Sequence, residues 1–290
     1  MGARRVKSFI LMPVQRSKIV LSVLPALVAA GLALAACGPR EQAAAPDVPA
    51  SAGPEGFLAP PSIESARRTG AELVLTGTAP TGAAAVRLTS PEGLSLVAQA
   101  GADGRWALSL PTPSEPLMFA VAADVGGRQV PAQGPLILLP APGPPAMMAR
   151  AGFAALPIGA PAGVPAVAAL DYDAGGGAAV AGFARPDTRV RLSLDGAAAG
   201  ISQADEAGRF AVIAANRPLS PGRRRLQVET ETGEADVDVD VSRPEPLGSL
   251  AYRAERQADG WRIDWAPAGG GVQTTVVFDR KAAPAAGPAS

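Results

Sequence analysis

Residues 103–108 read DGRWAL, and residues 207–212 read AGRFAV. Each runs glycine, arginine, aromatic, alanine and then a branched apolar residue. Upstream the correspondence continues: Val86-Arg87-Leu88 returns as Val190-Arg191-Leu192. Further upstream, Leu75-Thr76-Gly77-Thr78-Ala79-Pro80 returns as Val180-Ala181-Gly182-Phe183-Ala184-Arg185-Pro186, with one residue of slippage. Three landmarks in one order and at nearly fixed spacing, about 104 residues apart, indicate an internal duplication.

The texture around these landmarks is that of strands. Leu73 and Leu75 alternate with Val74 and Thr76. The pattern recurs at Val86 and Leu88, at Trp106, Leu108 and Leu110, and at Phe119, Val121 and Ala123. Period two over four to six residues places one set of side chains on a buried face. Gly, Pro and Asp-Gly punctuation separates the runs, and Asp103-Gly104 supplies a turn needing positive φ. Leu136 to Leu139 is wholly apolar and reads as a closing strand. An all-β chain is expected.

At these residues the chain resembles the tandem Ig-like domains of bacterial envelope proteins. The shared pattern is a Gly-x-Ala-x-Pro-type corner, a Val-x-Leu strand and an Asp-x-x-Gly-x-(Trp/Phe) hairpin. Asp205 to Phe210 fits the hairpin, and Leu219-Ser220-Pro221-Gly222 continues the second copy. The first copy departs from the pattern at Thr112 to Pro116, which is Pro-rich. The resemblance implies two β-sandwiches of about seven strands each and no catalysis. The expected domains are 57–140 and 166–246, joined by a Pro/Ala/Gly-rich linker, 141–165, in which Met147, Met148 and Phe153 could dock on a domain.

Upstream, Arg4, Arg5, Lys7, Arg16 and Lys18 precede the apolar run Ile19–Ala36, which ends Leu34-Ala35-Ala36-Cys37. Basic flank, apolar core and small residues form an export signal. Met12 is an alternative start to Met1. The last four residues resemble a bacterial lipobox. That resemblance implies cleavage between Ala36 and Cys37, and lipidation of Cys37. One acyl chain holds a protein weakly on a membrane and two or more hold it stably. Ile19–Ala36 as an uncleaved span is the competing reading, interrupted by Pro25 and Gly31. Residues 1–36 are thus expected as a signal helix and 37–56 as a flexible tether. The expected location is the cell envelope. In a Gram-negative source, Gly38 after the cysteine implies the outer membrane, facing periplasm or surface.

Composition narrows the chemistry. The chain has no histidine and one cysteine, which removes the commonest general base, the usual zinc ligands and internal disulfides. Processing at Cys37 leaves 21 basic against 26 acidic residues, which argues against a nucleic-acid partner. No cofactor is expected. The partners expected are the membrane, through lipid on Cys37, and an envelope protein or glycan. Aromatics are only 4%, so thin cores are expected.

Two stretches carry candidate sites. A turn centred on Thr232-Gly233 sets Leu226 opposite Val239, Val228 opposite Val237, Arg225 opposite Asp240, Gln227 opposite Asp238 and Glu229 opposite Asp236. Asp236, Asp238 and Asp240 then share a face. Hard cations take oxygen ligands, so Glu229 and Asp236 are a candidate calcium site; the competing reading is a solvated face that blocks edge pairing. Arg223-Arg224-Arg225 could meet an anionic polymer.

Residues 247–280 read as a three-stranded meander with a hairpin at Asp259-Gly260, before a disordered tail, 281–290. Leu250, Tyr252, Trp261, Ile263 and Trp265 fall on one face, with Arg256 over a Trp ring. That face needs a cover. It packs on the second domain, or Trp261 and Trp265 form an exposed platform for sugar or peptide, or the face is an oligomer contact.

Overall fold

In the computed structural model, which describes residues 58–159, 163–215 and 218–279, there is no helix among the described residues. The first copy forms β1 (Ser62–Thr69), β2 (Glu72–Thr78), β3 (Ala83–Thr89), β4 (Ser95–Gln99), β5 (Arg105–Pro111), β6 (Leu117–Val125) and β7 (Arg128–Pro131). Three further strands follow: β8 (Leu136–Leu138), β9 (Ala146–Met148) and β10 (Leu156–Ile158). The second copy forms β11 (Ala166–Asp173), β12 (Ala178–Phe183), β13 (Arg189–Leu194), β14 (Ala197–Gln203), β15 (Arg209–Ile213), β16 (Gly222–Thr230) and β17 (Gly233–Val241). The chain closes with β18 (Tyr252–Gln257), β19 (Gly260–Trp265) and β20 (Gln273–Phe278).

The two copies share one topology. In the first, β1-β2-β5 faces a sheet that contains β4-β3-β6, with β7 also on β6. In the second, β11-β12-β15 faces β14-β13-β16-β17. Each copy is an Ig-like sandwich whose alternating apolar residues meet between its sheets. Leu73, Leu75, Val86, Leu88, Trp106, Phe119 and Val121 fill the first core; Leu170, Val180, Val190, Leu192, Phe210, Leu226 and Val228 fill the second.

Equivalence extends to irregular features. The first strand of each copy slips register at one place, between Ile63 and Ser65 and between Val167 and Ala169. Opposite each slip sits a glycine, Gly77 or Gly182, over which the carbonyl of Ser62 or Ala166 and the ring of Trp106 or Phe210 close. Gly104 and Gly208 both adopt positive φ, 77° and 73°, and accept from Ala79 and Ala184 at 2.8 Å. The sequence landmarks therefore mark the bulge, the close approach and the turn in both copies.

Three expectations are corrected. Residues 141–165 are not simply a spacer, because β9 and β10 extend the first copy's second sheet in the order β10-β9-β8-β6. Met148 and Ile158 lie in its core. Arg68 holds the preceding loop, donating to the carbonyls of Leu139, Pro140, Gly143 and Pro144 at 2.7–3.1 Å. Proline removes donors, not acceptors, so one guanidinium satisfies four carbonyls of a Pro-rich loop.

The meander is not a separate unit either. β20 pairs with β11, making one six-stranded sheet, β15-β12-β11-β20-β19-β18. In the β16–β17 hairpin the turn is Glu231-Thr232, because Thr230 pairs with Gly233. Register is therefore two residues from that expected: Leu226 meets Val237, Arg225 meets Asp238, Gln227 meets Asp236 and Glu229 meets Glu234. A shift of two preserves the faces, so the aspartates still share one. The signal, Cys37, the tether and the tail lie outside the described residues.

Candidate functional site

The six-stranded sheet is apolar on both faces, and this organises the site. One face carries Leu170, Val180, Val212 and Val276 into the second core. The other carries Ala169, Val277, Ile263 and Trp265 against Met118, Ile137, Leu139 and Met147 of the first copy. Strand alternation in β9 splits its methionines: Met147 enters this contact and Met148 enters the first core. The cover expected for the meander is therefore supplied by the first sandwich, while its hydrogen bonds go to the second.

Tyr252, Trp261, Ile263 and Trp265 do share a face, since Tyr252 pairs with Trp265, Ala254 with Ile263 and Arg256 with Trp261. Arg256 lies 5.6 Å from the Trp261 ring centroid, and its guanidinium forks onto Asp279 at 2.5 and 3.1 Å. Leu250 lies outside the strand and is exposed. The two-tryptophan platform is corrected: Trp265 is 2% exposed and its indole N–H donates to Thr275 Oγ1 at 3.1 Å. Only Trp261 remains half-buried at the rim. Tyr252 is half-buried, its hydroxyl donating to the carbonyl of Pro116 at 3.4 Å.

The candidate calcium residues do not converge. Glu229 stands opposite Glu234, and Asp236 is held by Arg225 at 3.1 Å. Among the described residues, no group of three or more His, Cys, Asp or Glu is arranged to hold a metal ion. All three arginines of 223–225 meet carboxylates: Arg223 pairs with Asp238, Arg224 with Asp195 and Arg225 with Asp236, at 3.0–3.1 Å.

A buried polar cluster was not anticipated. Asp171, 2% exposed, accepts from the backbone N–H of Ala155 and from Thr275 Oγ1, each at 2.6 Å, and from Gln273 Nε2 at 3.4 Å. Burial pushes its carboxyl up to about 6, against the opposing pull of those donors and of the Arg150 charge. On β19, Arg262 pairs with buried Asp264 at 3.0 Å and donates to the Ser242 hydroxyl. Thr274 Oγ1 donates to Asp264 at 2.5 Å. In sequence the polar start of β20, Gln273-Thr274-Thr275, ahead of the apolar Val276-Val277-Phe278, was a sign of it.

These two carboxylates cannot act as a pair on one bond. Asp171 is opposite Thr275 and Asp264 is opposite Thr274, so they project from opposite faces of the sheet. Each is occupied by donors that fix structure. The larger clefts are superficial: one of about 500 Å³ runs between Arg67, Arg68, Ile158, Phe183 and Arg209, and one of about 310 Å³ lies between Asp238, Asp240, Glu255 and Asp259.

No family model matches the chain, and no curated protein sequence matches it. Among solved structures, the central fibronectin-III array of RIM-binding protein aligns at 12% identity, with 77% of this chain, 90% of that chain and TM-score 0.26. The BSP domain of a biofilm-associated protein aligns at 15% identity, with 64% of this chain, 30% of that chain and TM-score 0.24. The Yersinia pseudotuberculosis adhesin InvE aligns at 14% identity, with 74% and 70% covered and TM-score 0.19. Likeness at this level assigns neither family nor activity.

Proposed function

We propose that the protein is a non-catalytic, lipid-anchored component of the bacterial cell envelope, whose paired Ig-like sandwiches serve a structural or protein- and polymer-binding role. The observation that carries this reading is the use made of the six-stranded sheet. Its apolar faces build a core and a docking contact, and its buried carboxylates pin backbone and an arginine. Reactive groups are not left converging on open space.

The anchor rests on Leu34-Ala35-Ala36-Cys37. Two or three acyl chains on Cys37 would hold the chain stably at a membrane. Residues 37–56 would space the first sandwich from it. In a Gram-negative cell the outer membrane is the expected site, with the sandwiches facing periplasm or surface.

The test is fractionation of the natural host with wild type and Cys37→Ala, combined with intact mass. Wild type is expected in the membrane fraction, with its mass raised by acyl chains on residue 37. Cys37→Ala is expected as unprocessed precursor or outside that fraction. An unmodified Cys37 in the native protein would remove the anchor. A pull-down from the same membranes, with Cys37→Ala as control, then identifies the partner class.

A further inference from the structure

The segment that joins β9 to β10, residues 149–155, leaves the first sandwich's sheet and lies across the second sandwich's sheet as a strap. Its own closure is local: Arg150 Nε donates to the Ala154 carbonyl at 2.9 Å, and the Phe153 N–H to the Arg150 carbonyl at 3.2 Å. Its attachment is to the six-stranded sheet. The Gly152 N–H donates to Gln273 Oε1 at 2.9 Å, while Gln273 Nε2 donates to the Arg150 carbonyl at 3.1 Å. The Ala155 N–H donates to Asp171 at 2.6 Å. Ala154 packs on Ala179 and Ala181 of β12. Phe153 remains 58% exposed, so the strap is fastened by polar contacts and small side chains rather than by a deep apolar anchor.

Asp171 is the fastening that can change charge. The groups facing it are few. On the strap it meets Arg150, the one charge that bears on it. From β20 it meets Gln273 and Thr275, neither ionisable. Its cross-strand neighbour on β12 is Ala179, and beyond Thr275 lies Ile263 of β19. Asp173, two residues on, is exposed and already caps its own turn at the N–H groups of Gly175 and Gly177. Arg262 and Asp264 face the other side of the sheet. The first sandwich presents Ile137 and Met147 to this face, both apolar.

We propose that the strap is a proton-operated latch between the two sandwiches, seated when the Asp171 carboxyl is protonated and lifting more readily when it is ionised. Seating takes the carboxyl out of water, so the seated form binds the proton more tightly than a lifted form in which Asp171 is hydrated. The proton comes from solvent. The neutral carboxyl keeps its contacts: one oxygen still accepts the Ala155 N–H, and the new O–H donates to Thr275 Oγ1, whose hydroxyl rotates. Above the seated pKa, a carboxylate cut off from water opposes closure, because its burial outweighs the pull of its three donors and of Arg150.

Amide hydrogen exchange of residues 150–156 in the full-length protein, corrected for intrinsic rates, tests this. With a seated carboxyl near 6 and an ordinary value of 3.8 when lifted, protection at pH 5 is expected to exceed that at pH 7.5 by about tenfold. Asp171→Asn, which keeps an acceptor for Ala155 without a titrating proton, is expected to show the same protection at both. Wild-type protection that does not fall with pH, or an Asp171→Asn variant that keeps the wild-type dependence, overturns the proposal. Should that variant fold poorly, the wild-type Asp171 carboxyl is followed by carbon NMR: a midpoint near 6 supports the latch, and one near 4 overturns it.

Discussion

Gly182 lies directly beneath the ring of Phe210, so close that a Cβ there would stand 2.5 Å from Phe210 Cζ and would collide with the Ala166 carbonyl. Gly77 stands in the same relation to Trp106 and Ser62 in the other copy. The absence of a side chain is what lets the bulged first strand and the aromatic close on one point. Gly182→Ala is therefore expected to destabilise the protein by about 3 kcal/mol in urea unfolding. Removing the ring as well, in Gly182→Ala with Phe210→Ala, is expected to give no rescue, because the Ala166 carbonyl still blocks the Cβ. A neutral Gly182→Ala would show that the close approach is absent.

Arg68 satisfies four carbonyls of the loop between β8 and β9. Arg68→Ala leaves them in a partly buried place with no donor, and a cost of about 2–4 kcal/mol is expected. Arg68→Lys keeps the charge and loses the planar fork, so it is expected to recover only part of that loss. Thermal unfolding of the three proteins orders them.

Asp171 gives stability a pH dependence of definite sign. Its folded carboxyl is raised to about 6 from 3.8, so between those values the folded state holds more protons than the unfolded one. Stability from this group is fully present below pH 3.8 and is lost as pH rises through 6. Between pH 4 and 7.5 its contribution falls by about 2 kcal/mol. Urea midpoints of wild type and Asp171→Asn at the two pH values are expected to differ in that sense, the variant gaining relative to wild type at pH 7.5. A gain at pH 4 instead would reverse the sign and the assignment.

The parts of the fold visible in sequence were those written in short-range pattern. Alternation at Leu73–Leu75 and Val190–Leu192, and the glycine-aromatic landmarks, gave the strands and the repeat. The common face of Tyr252, Trp261, Ile263 and Trp265 followed from alternation alone. What covers that face did not, because Met118, Ile137 and Met147 sit more than a hundred residues away in chain and carry no complementary pattern. β9 and β10 were hidden because each is three residues long, too short for a period to show among prolines. Nothing in the local pattern singles out Asp171, because the backbone N–H of Ala155 that it accepts from is brought to it by the tertiary fold. The β16–β17 turn was expected one residue too late, which moves the register by two, because Gly233 was taken into the turn, whereas it begins β17.

The docking of the two sandwiches through the meander is tested most directly by a protein whose single tryptophan is Trp265. Trp106→Phe reproduces the residue that the second copy uses at Phe210, and Trp261→Phe removes the rim indole. Acrylamide quenching of this protein is compared with that of the same protein carrying Met147→Lys, a charge placed in the contact but outside both sandwich cores. The expected result is a shielded Trp265 that becomes readily quenched when Lys stands at 147, while the sheet signal in circular dichroism is retained. Trp265 quenched freely before that substitution, or shielded equally after it, would contradict the docked arrangement.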